Sequence, residues 1–286
     1  MSKTSAIERH KMSVSYFNRY VQGIILVSAL LLCSLTLNGD SHAAFFGEVK
    51  TGLQNIAIDR YGYSLYVPVD YTPQRVWPLV IALHDEGEKG EDYIQTWVQE
   101  AKKRGMILFC PTYPAPRDVP FDNDKRILRL KQLIQSQYEV NPKKVLLTGS
   151  GFGGHYAFYL GLRYPSQFTA VASVGNGVEG RFAKLFSMSY AKAHRLPFAM
   201  LTTVTDHSAD SEANGALNAI RARGYKVDIV KAGELKDLNS PEVSAYILDW
   251  FDQASEVYEK EAALEKRSFS VKERLLEWVD QFLQNR

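Results

Sequence analysis

Cysteine is almost absent from this chain of 286 residues, which carries it only at Cys33 and Cys110. Cys33 falls in an N-terminal stretch that reads as an export signal. The remainder therefore holds one thiol and no internal disulfide, and its stability must come from a hydrophobic core. An excess of either charge is missing too. Residues 1–43 carry Lys3, Arg9, Lys11 and Arg19 against Glu8 and Asp40; taking these from 34 basic and 32 acidic residues leaves 30 of each sign. A neutral remainder gives no electrostatic reason to expect nucleic acid or an anionic membrane as partner. Repeats and low-complexity tracts are lacking. No metal-ligand spacing links His84, His155, His194 and His207, so neither metal nor cofactor is expected. No histidine follows His207.

What is present is an ordinary globular composition, 45% hydrophobic and 23% charged, in a chain long enough for one large α/β domain. At the N-terminus, basic residues precede an apolar run from Gly23 to Leu37, followed by Asn38-Gly39-Asp40 and Ser41-His42-Ala43. An apolar run of about 15 residues fits a signal peptide better than a membrane span of ~20. Small residues at Ser41 and Ala43 suit cleavage after Ala43, so residues 1–43 are read as a signal peptide and the protein as exported, periplasmic or extracellular. An uncleaved anchor is the alternative and would be its only membrane contact. Leu32 is too large for a lipobox before Cys33, and Met12 is an alternative start.

From residue 44 to 255 strand and helix patterns take turns. Two short strands between Leu53 and Val67 flank the turn Asp59-Arg60-Tyr61-Gly62. Pro78 to Leu83 is a continuous apolar run, typical of a strand buried on both faces of a parallel sheet. A helix from Asp92 to Arg104 ends at Gly105; the strand Met106–Cys110 follows, then a helix from Phe121 to Tyr138 with a core-facing apolar stripe at Ile127, Leu128, Leu130, Leu133 and Ile134. Strands are expected at Thr169–Val174, Phe198–Val204 and Lys226–Val230, and helices near Arg181–His194, Ala209–Arg223 and Pro241–Asp252. Such regular alternation predicts a doubly wound, mostly parallel sheet.

The strongest motif is Val145-Leu146-Leu147-Thr148-Gly149-Ser150-Gly151-Phe152-Gly153-Gly154, an apolar strand running into a glycine cluster, with His155 to Leu160 continuing as a helix. This is the layout of a nucleophile elbow, the strained strand-to-helix turn G-x-S-x-G. Strand and helix approach so closely there that the residues two before and two after the nucleophile must be small. Gly149 and Gly153 meet that demand, but the residue between them is Gly151, and the reactive serine is missing. Ser150 stands one position early. Centring the motif on it would put Phe152 where a small residue is required, and a one-residue shift along a strand turns the side chain to the opposite face. Ser150 is the fallback nucleophile; a small residue in a tight turn is the favoured reading.

With Tyr63-Ser64-Leu65-Tyr66-Val67-Pro68, Tyr71, Pro78 through Gly90 and Val145 through Asn176, the chain resembles compact α/β-hydrolases of the polyhydroxybutyrate depolymerase and feruloyl esterase type, related to esterase D. The resemblance spans roughly residues 60–255. It implies an α/β-hydrolase fold without a large lid and an esterase's triad. Mapped position by position, the nucleophile falls on Gly151, the acid on Asp206 and the histidine on Lys236, in the loop Ala232 to Asn239. Asp206 serves equally as a helix cap. Lysine titrates near pH 10 and is a poor base without strong desolvation. Around the expected oxyanion hole, His84 and Gly87 are kept but Asp85 replaces a glycine. Backbone donors remain available from that turn and from Phe152, yet a carboxylate beside a developing oxyanion opposes its stabilisation. His155 reads as packing or pocket lining, His207 as a solvated loop residue and Cys110 as a buried, inert thiol. Asp85, Glu86 and Glu88 read either as a solvated loop or as a preference for a cationic or hydroxyl-rich ligand.

Residues 256–286 exceed the fold's needs. Helix-favouring composition in Glu256–Lys266, the capping box Ser270-x-x-Glu273 and an apolar stripe at Leu275, Leu276, Val279, Phe282 and Leu283 predict an amphipathic C-terminal extension. It packs back on the domain, or serves a homodimer or another partner. Loss of nucleophile, base and oxyanion glycine together points to a hydrolase fold that binds a small-molecule, carbohydrate or ester ligand without turning it over. The alternatives are an active serine ester hydrolase with a non-standard nucleophile, and an interaction protein acting through its C-terminal helix.

Overall fold

The computed structural model of the chain describes residues 49–114, 123–175, 197–202, 218, 220–222, 224–231, 240–257 and 260. The expected signal segment, the helix at 181–194, Asp206, His207, Lys236 and nearly all of the C-terminal extension lie outside the described residues.

Eight strands form one sheet: β1 (Gly52–Ile56), β2 (Tyr63–Val67), β3 (Trp77–Leu83), β4 (Ile107–Pro111), β5 (Val140–Ser150), β6 (Ala170–Val174), β7 (Phe198–Thr202) and β8 (Val227–Lys231). Their order is β1-β2-β4-β3-β5-β6-β7-β8. The first two joins, β1 to β2 and β2 to β4, are antiparallel and every later pairing is parallel. The mostly parallel sheet expected from the strand–helix alternation is therefore present, as an α/β fold. β5 is longer than its apolar part; its first residues pair with Trp77, and the register slips between Trp77 and Leu79.

Strand side chains alternate between two covering layers. Leu79, Ile81, Leu83, Val145 and Leu147 pack with helix α2 (Asn123–Gln137) and helix α3 (Phe152–Arg163), through Ile127, Ile134, Tyr156 and Phe158. Val80, Ala82 and Leu146 face the other way, against helix α1 (Gly90–Arg104) and helix α4 (241–257), through Tyr93, Trp97, Ile247 and Phe251. Burial on both faces is why β3 reads as an unbroken apolar run.

Local chemistry sets the helix ends. α1 begins with Glu91 and Asp92 and ends with Lys102, Lys103 and Arg104, each matching the sign of the helix dipole. Gly105 then adopts a left-handed conformation (φ 62°). There the Met106 N–H reaches Ala101 O at 2.9 Å, the closing bond of a Schellman motif. Arg104 joins the two helices of its layer by bonding Asp249 at 2.7 Å and Asp252 at 3.0 Å on α4. Across the sheet, Arg126 of α2 grips Asp59 in the β1–β2 turn through Nε (2.6 Å) and Nη2 (2.9 Å), and holds the Asp59 carboxyl well below the usual carboxylate range.

Candidate active site

The parallel strands β3 and β5 lie side by side, so the loops after Leu83 and after Ser150 leave the sheet next to each other. In such sheets ligands bind at the carboxyl ends of the strands. Gly151 makes the turn from β5 into α3 with φ 48° and ψ −122°, backbone angles that a residue with a side chain adopts only under strain. A Cβ on Gly153 would meet Leu83 O and His84 O below 3.0 Å, and one on Gly149 would meet the Gly153 carbonyl. The elbow expected from the glycine spacing is thus built in full, for the steric reason that the spacing suggested.

His84 and Asp85 form the facing wall. His84 is buried, with its ring stacked on Tyr113 at 4.1 Å. The Tyr113 N–H donates to His84 Nε2 at 3.2 Å, so Nδ1 must carry the proton that it shares with Asp85 O at 2.7 Å. The Tyr113 hydroxyl returns a bond to His84 O at 2.6 Å. Burial holds the imidazole below its ordinary titration range, and the ring is neutral with both nitrogens engaged. It props the loop rather than serving as a base.

Asp85 is held at both of its backbone groups. Its N–H donates to Glu88 Oε2 at 3.1 Å, and its carbonyl accepts the Glu88 N–H at 3.2 Å as well as the histidine proton. The side chain turns inward. Asp85 Oδ1 accepts the Phe152 N–H at 2.6 Å and the Glu86 N–H at 2.7 Å. Phe152 N–H, directly after the nucleophile position, is a standard oxyanion donor of this elbow. Oδ1, Oδ2 and Cγ of Asp85 all lie within 2.5 Å of where a Cβ on Gly151 would stand. The sequence placed this carboxylate beside the oxyanion region; the structure puts it inside. Gly87 makes an exposed turn with φ 82° and open space around it, and so does not line the hole.

Ser150 belongs to the opposite side of β5. It sits in the layer that faces α1, where its buried Oγ neighbours the Tyr93 hydroxyl without the geometry of a full hydrogen bond. Cys110 is buried, and burial pushes its thiol well above the usual range. His155 is a buried residue of α3, one turn beyond the elbow. The structure therefore brings together Gly151, Phe152, Asp85 and His84, and leaves Ser150 apart. Asp206, His207 and Lys236 lie outside the described residues. Among the described residues no group of three His, Cys, Asp or Glu side chains could hold a metal ion, and no helix is long and apolar enough to cross a membrane.

A second polar cluster lies behind the elbow. Asp124, at the start of α2, is 2% exposed and accepts the hydroxyls of Tyr156 and Tyr159, each at 2.7 Å. Arg163 Nε stands 3.9 Å from the same carboxylate. Burial raises the Asp124 carboxyl despite these partners. Two tyrosines three apart on a buried helix face were the available signal, since buried hydroxyls need an acceptor.

The family model for esterases, described as "Putative esterase", matches residues 127–260. No curated protein matches the chain. Among solved structures, a ferulic acid esterase superposes with a TM-score of 0.54 at 14% identity, covering 73% of this chain and 99% of that one. A thermostable esterase gives 0.52 at 16% identity over 67% of this chain, which spans only 58% of that protein's length. An esterase from the planctomycete Thermogutta terrifontis gives 0.50 at 16% identity, with 70% and 91% of the two chains covered. At such identities the likeness establishes the fold, an α/β-hydrolase, and with the family match it agrees with an esterase-type relationship.

Proposed function

We propose that this chain is a binding protein built on an esterase-type α/β-hydrolase fold and has given up serine-ester catalysis. The observation that carries the reading is Gly151: the elbow keeps the backbone of a nucleophile turn, φ 48° and ψ −122°, and presents no reactive atom there. Attack on an ester carbonyl needs a nucleophile at that turn with an adjacent base. The signal-like residues 1–43 support a role outside the cytoplasm, with a small-molecule, carbohydrate or ester ligand at the carboxyl ends of β3 and β5. A second reading, an active ester hydrolase using Ser150, draws on the esterase family match and the esterase neighbours. Labelling of the purified protein with a fluorophosphonate, read by peptide mass spectrometry beside an active esterase, separates the two. No adduct is the expected result; a stoichiometric adduct on Ser150 or another serine overturns the binding reading.

A further inference from the structure

An oxyanion hole is a pair of hydrogen-bond donors aimed at a point where negative charge develops, and it works because those donors are unoccupied until substrate arrives. Here they are not. The Phe152 N–H points at Asp85 Oδ1 over 2.6 Å and the Glu86 N–H points at the same atom over 2.7 Å. These are lengths of charge-assisted bonds, about twice as strong as neutral ones. The oxygen between them belongs to the chain itself, and it is not loosely placed. His84 and Glu88 fix the backbone of Asp85 from both sides, and Tyr113 fixes His84 in turn.

We propose that Asp85 is a resident internal ligand of the oxyanion hole, an autoinhibitory contact that closes the hole from the space a side chain at position 151 would need. The Phe152 and Glu86 amides are intact donors masked by one carboxylate. Removing it exposes a place for the oxyanion of an outside molecule, a carboxylate being the nearest match to what is displaced. The contact does not depend on the binding reading above. A fluorophosphonate adduct on Ser150 would end that reading and leave this one standing, because Ser150 lies in the other layer of the sheet.

Acetate rescue tests it, using the full chain labelled with 15N-phenylalanine. The chain has 14 phenylalanines, and Phe152→Leu identifies the Phe152 amide signal among them. In the unsubstituted protein that signal lies downfield, as a short bond to a carboxylate requires, and sodium acetate at constant ionic strength leaves it in place. In Asp85→Ala it moves upfield, and added acetate returns it downfield in a saturable way. Asp85→Asn, which keeps the side-chain volume without the charge, gives an intermediate position and serves if the alanine variant does not fold. An amide signal indifferent to both substitutions, or one that acetate shifts equally in the unsubstituted protein, overturns the proposal.

Discussion

The carboxylate of Asp85 fills the volume that a side chain on Gly151 would need. All three of its terminal atoms lie within 2.5 Å of the position of a Cβ there. The two residues are thus complementary, the side chain of one filling the space that the absence of a side chain on the other leaves open. A side chain added at Gly151 alone makes a clash, and removal of the Asp85 side chain alone leaves a void.

A double-mutant cycle measures that complementarity. Gly151→Ser alone should cost about 1–3 kcal/mol of unfolding free energy through overpacking, besides a backbone-strain penalty of roughly 1–3 kcal/mol at these angles. Adding Asp85→Ala should return the steric part. The expected coupling is at least ~1 kcal/mol in favour of the pair, read from urea midpoints. Additive effects would mean that Asp85 moves aside freely.

His84 should give the protein an acid-sensitive stability. Its folded-state imidazole is held below the ordinary value by burial, so the unfolded chain takes up the proton first, near pH 6.5. The contribution is complete above that pH and is lost as the pH falls below it toward the folded value. Relative to His84→Asn, which keeps a donor for the Asp85 carbonyl, the unsubstituted protein should lose stability on going from pH 7.5 to 5. The slope is at most about 1.4 kcal/mol per pH unit for one proton. A stability difference that is flat across this range would show that His84 is protonated as easily folded as unfolded.

Asp124→Ala should be far more damaging than Asp124→Asn. The alanine strands two buried tyrosine hydroxyls, each with a penalty of about 1–3 kcal/mol, while asparagine retains one acceptor. Because burial raises the folded Asp124 carboxyl, the native protein should also gain on asparagine as the pH drops from the folded value toward the unfolded one, near 3.9. Thermal unfolding of the three proteins at neutral and mildly acidic pH checks both statements.

Much of this architecture was legible in the sequence because its causes are local. Gly105 ends α1 since only glycine relaxes into that left-handed turn, and Pro78 to Leu83 reads as a central strand since both of its faces are covered. Ser150 was placed on the wrong side of β5 for catalysis by the period of two alone. The contents of the oxyanion hole were not legible. The bond from Phe152 to Asp85 joins loops 67 residues apart in the chain, and nothing local tells a solvated aspartate from one folded into a neighbour's vacant space. Asp124 was hidden likewise: an aspartate at a helix start reads as a surface cap, and only the tyrosines of α3 reveal that it is buried.

Gly151 has a consequence for the chain's stability. In a working hydrolase this turn stores tension, a side chain forced into backbone angles that it resists, and such tension is tolerated for the sake of rate. Glycine takes the same angles at ease. The joint between β5 and α3 therefore holds its sharp angles without the strain that any side chain at position 151 would bring.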